Sequence, residues 1–448
     1  MVGDDSSAAN TSVSEEEAKE NVSLLVFPVS LEYANSYACR LGDHFKVFLL
    51  SEAGKPIFAS GGSEEEVCSL AALIQAFIMV VNSWGDILLR LRSHKMHICF
   101  SYRSPLILAI ASRNPYNLEA QLDILFKQVL STLCRKHLND VFQKKGPNFD
   151  LRTFLTDSDR HFNEIVRAFR ADPCFHLKSV RVFPLPNSER DFITNAIIAA
   201  GEKVRPLIMG LVVSYRQLVT VVTVKNKGVT LHPLDLHILI NLIECNPSFC
   251  NSENWLPICL PHLNESVFLH AFLAYIPKLP ACLILLSVDR ESFPALRDMY
   301  KTVSQRLNSR QSLLAAFENP QSFDLAQSNL TDIWHFIFKK KTSSQMCSAD
   351  FCIPYVSVSE RLRLLNLYKE LATFCSRSAS VRQIIVHRSE NTVVVMITAN
   401  YELYCVMSPF ISTSVAVSQL DRLLKMLRKE ESRLFITSSS YFRNLPPD

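Results

Sequence analysis

Four small sets of residues have types and spacings that could carry chemistry. The first is Gly54-Lys55, inside the stretch LLSEAGKPIFASGGSEEE from Leu49 to Glu66, where a glycine-lysine pair sits between two apolar runs. A phosphate loop needs a glycine five positions before that pair, so that amides wrap the phosphates, and a Ser or Thr after it to hold magnesium. Leu49 and Pro56 stand there instead: one brings a side chain where backbone must close, and the other has neither hydroxyl nor N–H. The segment reads as a turn. The second set, His94 and His97, lies three apart in a region that reads as strand or strand edge, which puts the two rings on opposite faces and makes a poor metal pair. The third, His232 and His237, flanks a helical turn with no third ligand nearby. Signatures of zinc proteases, serine hydrolases, calcium loops and kinases are absent, and nothing nominates a Ser-His-Asp set.

The fourth set is charge. Ser63 and Glu66 form an S-x-x-E capping box, and Glu64, Glu65 and Glu66 occupy the helix start that the dipole favours for anions. Such a triplet serves either a solvated cap or a contact to a basic partner. Near the end of the chain Arg422, Lys425, Arg428 and Lys429 are spaced by three and four, opposite Leu420, Leu423, Leu424, Leu427 and Leu434. That stripe reads either as a solvated face or as a contact for anionic lipid headgroups. Lys339, Lys340 and Lys341 join the lipid reading, or protect an edge strand.

These residues need a frame. The stretch HFKVFLLSEAGKPIFAS predicts strand, turn and strand, with a helix over 63–82. Strands follow in DILLRLRS, KMHICFSY and LILAIASR, then a helix from Asn117 with Leu118, Leu122, Leu125, Phe126, Val129 and Leu133 on one face. The same order, two strands, helix, three strands, helix, returns from RPLIMGLVVSYRQLVTVVTVKN to a helix over 293–307, and again from DIWHFIFKKK to a helix over 413–434. Three rounds at a period of about 130 residues argue for a triplicated α+β architecture. Short connections make the strand pairs antiparallel hairpins, and ten glycines without a G-x-G-x-x-G argue against a dinucleotide site.

The helix over 63–82 is apolar on both sides. Val67, Leu70, Ala71, Ile74, Phe77, Ile78 and Val81 form one stripe, while Leu73, Ala76, Met79 and Val80 cover the other side, leaving Gln75 as the lone polar residue between Ser69 and Asn82. One face can lie on its own sheet; the other requires a second layer within the chain or another protein.

Composition sets the wider bounds. The chain has 448 residues, of which 48% are hydrophobic and 20% charged, enough for about three domains. Its formal charge is +4. The first 22 residues, with six carboxylates against Lys19, hold about −5, so an acidic leader precedes a basic body. That imbalance suits an anionic membrane and is too diffuse for nucleic acid. Ser6, Ser7, Ser12 and Ser14 are phosphorylatable positions. The 13 cysteines are scattered singly, as expected of buried thiols in a reducing cytosol, and the sequons at Asn10, Asn21, Asn264 and Asn329 are then expected to stay bare. Boundaries follow at 1–40 for the leader, 41–160 for the first domain, 161–182 for a linker, 183–318 for the second domain and 319–448 for the third.

The phrases VFLLSEAGKPIF, YRSPLILAIASR, LHPLDLHILINLI, LPHLNESVFLHAFLAYI, ANYELYCVMSP and LLKMLRKEESRLFI occur in that order, and together they resemble the SAND family, the Mon subunit of the Mon-Ccz complex of endosomal and vacuolar fusion, from about Gly42 to Phe435. The resemblance implies three tandem longin domains, each a mainly five-stranded antiparallel sheet flanked by helices. It also implies a heterodimer with a Ccz subunit that acts as a guanine-nucleotide exchange factor for a late-endosomal Rab GTPase. Recruitment to endosomal and vacuolar membranes would run through an early-endosomal Rab and phosphatidylinositol 3-phosphate or another anionic lipid. No cofactor, metal or covalent step is implied. The first longin domain would form the Rab and Ccz platform, with Gly54, Lys55, Ser60, Gly62, Glu64, Glu65 and Glu66 as the Rab-contact positions, chosen on physical grounds rather than from a family motif. Lys339, Lys340, Lys341, Arg422, Lys425, Arg428 and Lys429 are the lipid-contact positions. The leader is short where relatives often carry a longer one. Two competing classes share the bare chemistry: a longin scaffold without exchange activity, and a hydrolase whose polar cluster the sequence does not reveal.

Overall fold

A computed structural model describes residues 45–94, 96–146, 151–155, 158–224, 229–320, 322–326, 328–377 and 382–442. The acidic leader, its serines and the sequons at Asn10 and Asn21 lie outside the described residues. In the first domain the hairpin β1 (Lys46–Ser51) and β2 (Pro56–Ala59) leads to helix α1 (Glu64–Ser83), strands β3 (Arg90–Arg92), β4 (His97–Arg103) and β5 (Leu106–Ser112), and helix α2 (Leu118–Leu133). The sheet runs β2-β1-β5-β4-β3, antiparallel throughout. Side chains alternate along a strand. Val47 and Leu49 therefore share a core with α2, while Phe48 and Leu50 meet α1 on the opposite face.

The stretch expected as a linker is itself packed. Helix α3 (Asp159–Ala171) buries Phe162, Ile165, Val166 and Phe169, and the short strand β6 (Val180–Arg181) follows. After helix α4 (Asn187–Gly201), the second domain repeats the order: β7 (Leu207–Ser214), β8 (Gln217–Thr223), α5 (Pro233–Glu244), β9 (Asn254–Ile258), β10 (Leu269–Tyr275), β11 (Ala281–Ser287) and α6 (Phe293–Asn308). The third domain has β12 (Ile333–Lys340), β13 (Gln345–Ser348), α7 (Val358–Arg377), β14 (Gln383–His387), β15 (Thr392–Ile397), β16 (Tyr401–Met407) and α8 (Thr413–Lys429), and the tail adds β17 (Ser440–Tyr441). The threefold α+β order expected from periodicity is the observed one, with additional helices between the first two rounds.

The second and third domains exchange edge strands. The sheets run β17-β8-β7-β11-β10-β9 and β14-β15-β16-β12-β13-β6. Thus β6, which precedes the second domain, pairs parallel with β13 of the third, and the tail strand β17 pairs parallel with β8 of the second. Phe442, just beyond β17, packs over Gly201 and Gly210; a Cβ on Gly201 would stand 2.5 Å from its ring. Buried Arg190 ties the same junction, with Nε donating to the Val219 carbonyl at 3.1 Å, Nη1 to Ser432 at 2.7 Å and Phe435 at 3.1 Å, and Nη2 to Phe183 at 2.8 Å and Arg433 at 3.0 Å. Burial draws its guanidinium down to about 10, so it stays charged at neutral pH and makes charge-assisted bonds.

Helix α3 joins the first domain to the other two. Lys369 of α7 is buried and donates to the Phe169 and Arg170 carbonyls at 2.8 and 2.9 Å, closing the C-terminal end of α3 where the dipole favours a cation. Arg216, in the β7–β8 turn, pairs with Glu164 of α3 at 2.9 Å. Asn241 of α5 donates to Gln128 of α2 at 3.2 Å and to the His161 carbonyl at 3.0 Å. As a result α5 lies between its own sheet and the helices of the first domain, with nine of its twelve residues buried.

Candidate functional site

Local chemistry fixes where α1 starts and ends. Glu66 N donates to Ser63 Oγ at 3.3 Å and Ser63 N to Glu66 Oε2 at 3.4 Å, the reciprocal box expected from the sequence. The helix ends where Gly85 takes φ +77°. Its inner face, Ala71, Ile74 and Ile78, lies on Phe48, Leu50, Phe100, Ile107 and Ala109. Gln75 packs against the turn of the hairpin: a Cβ on Gly54 would come 2.9 Å from Gln75 Cγ, and Gly54 already has φ +78°. That close approach requires glycine. Around it, Ser51 Oγ accepts from Lys55 N at 3.1 Å and the Ser51 carbonyl accepts from Gly54 N at 2.9 Å, forming a turn with no amide cradle for phosphate.

The Rab-contact positions divide between the two ends of this hairpin. Gly54 and Lys55 sit at the β1–β2 turn, whereas Ser60, Gly62 and Glu64 to Glu66 sit at the α1 start, and the first three turns of α1, about 16 Å, separate them. Ser60 Oγ accepts from Val47 N at 2.8 Å, so it braces β1. Gly62 takes φ +113°. Glu64, Glu65 and Glu66 are exposed and form no ion pair among the described residues.

The outer face of α1 answers the question that periodicity left open, because no other part of the described chain covers it. Only Ala71, Ile74 and Ile78 of its twenty residues are buried. Leu73, Phe77, Met79 and Val80 are exposed, and the chain after the helix prolongs the patch with Trp84 (75% exposed), Ile87 and Leu89. By length and composition α1 could cross a membrane, yet its capped start and its seat on the sheet make it an integral layer of the domain. The equivalent helix α7 also has an open side, but Arg363, Asn366, Glu370, Ser376 and Arg377 make it polar, with Phe374 the exception. An exposed apolar surface of this extent marks an interaction site. Sequence reasoning did not extend it to these residues: Ile87 and Leu89 fall within 86–93, expected to be one strand, but β3 spans only Arg90–Arg92, leaving Ile87 and Leu89 in the segment before it.

The lysine cluster and the α8 stripe differ. Lys339 and Lys341 reach Glu402 at 3.6 and 3.9 Å, and Lys340 pairs with Glu431 and lies over the Phe435 ring. Arg422, Lys425, Arg428 and Lys429 are exposed and form no ion pair among the described residues. The histidines at the α5 helix start serve structure. His232 Nδ1 accepts from Leu234 N at 3.2 Å at the start of α5, its ring stacks on His262 at 3.8 Å, and His237 stacks on Phe175 at 4.3 Å. No cluster of potential metal ligands occurs among the described residues.

Comparison with known proteins places this geometry. Three family models match, described as the first, second and third longin domains of FUZ, MON1 and HPS1, over residues 46–165, 205–305 and 332–431. The vacuolar fusion protein MON1 homolog A of Gallus gallus is 35% identical over 87% of this chain and 71% of its own length. Its Homo sapiens counterpart is 34% identical over 87% of this chain and 60% of its own length, and Protein SAND of Takifugu rubripes is 34% identical over 88% and 76%.

Proposed function

Because the chain belongs to the MON1/SAND family of three-longin proteins, we propose that it acts in vesicle trafficking as one subunit of a heterodimeric guanine-nucleotide exchange factor for a late-endosomal Rab GTPase. The observation that carries this reading is the apolar outer face of α1, a preformed surface for the first longin domain of a Ccz-type partner. Exchange makes and breaks no covalent bond. It requires a surface with higher affinity for the nucleotide-free GTPase than for the loaded one, since only differential affinity moves that equilibrium. A composite platform beside the α1 start meets that need: Glu64, Glu65 and Glu66 attract a basic switch segment, while Gly54 and Lys55 engage it from the far end of the hairpin.

Recruitment is the second part of the reading. The exposed stripe of α8 offers four cations to an anionic surface such as one containing phosphatidylinositol 3-phosphate. Lys339, Lys340 and Lys341 are weaker contributors because Glu402 and Glu431 partly neutralise them. An early-endosomal Rab would complete the recruitment, so that the protein works at the cytosolic face of endosomes and vacuoles.

The test is release of labelled GDP from late-endosomal Rabs by the chain alone, with its Ccz partner, and on anionic liposomes. Acceleration is expected with the heterodimer. Combining Phe77→Asp with Val80→Asp should abolish heterodimer formation, whereas charge reversal at Glu64, Glu65 and Glu66 should slow exchange about tenfold and leave the heterodimer intact. A heterodimer that leaves GDP on every Rab offered makes the protein a scaffold.

A further inference from the structure

Proteins blunt the exposed edges of their sheets with short strands, charges, proline or cover. Among the described residues, five of the six sheet edges are treated in this way. Edge β2 is four residues long and begins with Pro56; β3 is three residues with Arg90 and Arg92; β9 contains Pro257; and β17 and β6, which cover β8 and β13, are only two residues each. The sixth is β14, Gln383-Ile384-Ile385-Val386-His387, which has five residues, no proline, no carboxylate and no lysine or arginine.

The hydrogen-bonding groups of β14 that have no strand partner among the described residues can be assigned. The Arg382 carbonyl accepts from Ile397 N at 2.8 Å and Arg388 N donates to the Asn391 carbonyl at 2.9 Å, with Ile384 opposite Val395 and Val386 opposite Val393. Alternate residues of an antiparallel strand point their backbone groups the same way. Even-numbered residues therefore bond to β15, and Gln383, Ile385 and His387 direct N–H and C=O away from the sheet. Ile384 packs against the same core cluster as Leu371 and Ala372 of α7, Phe374 lies further along that helix with half its surface exposed, and Val386 is exposed as well. Arg377, Arg382 and Arg388 stand exposed around the strand without an ion-pair partner among the described residues.

We propose that β14 is a docking edge for an extended peptide segment of a partner protein, with apolar side chains at alternate positions and acidic residues flanking them. Backbone pairing to Gln383, Ile385 and His387 supplies the frame, Phe374 and Val386 receive the apolar side chains, and the arginines select the acidic flanks. The strand lies in the third domain, so this site is independent of the exchange reading.

The probe is a fluorescein-labelled peptide Asp-Asp-Val-Thr-Val-Thr-Val-Asp-Asp, titrated with the purified chain by anisotropy beside versions with lysine flanks and with a central proline. Saturable binding of the acidic peptide is expected, at least about tenfold tighter than the lysine version. Gln383→Pro should weaken it at least about fivefold with little change in unfolding midpoint, because that N–H takes no part in the ladder to β15. The double variant Arg382→Glu, Arg388→Glu leaves the backbone untouched and should reverse the preference for flanks. Equal binding of all three peptides, absence of binding, or indifference to both variants overturns the proposal. Self-association of the chain that Gln383→Pro abolishes also overturns it, by assigning the edge to a second copy.

Discussion

Helices α1 and α5 hold the same place in their domains, each following the opening hairpin, and they meet opposite surroundings. Helix α5 is closed in by its own sheet on one side and by α2 and α3 on the other, so its all-round apolar sequence is satisfied within the chain. Helix α1 has the same kind of sequence and only one layer beneath it. Apolar periodicity thus reports how many faces of a helix need cover and says nothing about who provides it.

The largest test of that contrast is a matched pair of substitutions. Leu239→Asp in α5 places a charge at a fully buried site and should cost more than about 4 kcal/mol, leaving little folded protein in circular dichroism and denaturant titration. Leu73→Asp on the outer face of α1 should change stability by less than about 0.5 kcal/mol. Equal effects would mean that α1 is covered within the chain. Next in size is Arg190→Met. It leaves five carbonyls without their donor and should lower stability by about 3 kcal/mol, with protease sensitivity rising around 183–190 and 432–435 rather than in the first domain.

A smaller effect separates the two glycines of the first hairpin. Gly54→Ala combines a left-handed φ with contact on Gln75, whereas Gly61→Ala has the same φ, +79°, and open space around it. Each should lose about 1 kcal/mol for the backbone, and Gly54→Ala should lose more; equal unfolding midpoints would remove the role given to Gln75. The last test concerns the junction behind α5. Burial, with Lys127 and the neighbouring ring adding to it, holds His262 down at about 4, and burial likewise lowers His232. The His262 contribution is present above the unfolded value of about 6.5 and is lost as pH falls toward 4, and the lowered His232 acts in the same direction. Asp235, whose burial pushes its carboxyl up to about 6, opposes this by gaining a proton in the folded state. The urea midpoint should fall on acidification below pH 6.5, and His262→Asn should make that slope shallower.

Much of the framework was legible because it repeats. Hairpins, the five-strand order and the closing helices announce themselves through periods of two and 3.6. Ser63 and Glu66 were legible because a capping box is a local code. The exchanged strands were not, since Val180-Arg181 and Ser440-Tyr441 are too short to show a period and their partners lie far along the chain. Arg190 carries no local mark of the five carbonyls it collects. At the candidate site the charges of Glu64 to Glu66 were readable, whereas the wide separation of Gly54 from Gly62 became apparent only once α1 was laid along the hairpin. Pairing of Lys339 with Glu402 depends on the register of β12 and β16, which no single segment encodes.

The tail strand has a further consequence for biosynthesis. Ser440, Tyr441 and Phe442 finish a sheet whose other strands end by Ser287, so a nascent chain must hold an incomplete middle domain until these three residues, more than 150 positions later, have left the ribosome tunnel. The second domain to be translated is then the last to be sealed. A chain terminated just before Ser440 should leave the middle of the protein unsealed, and expose it to quality-control proteases before the first domain shows any defect.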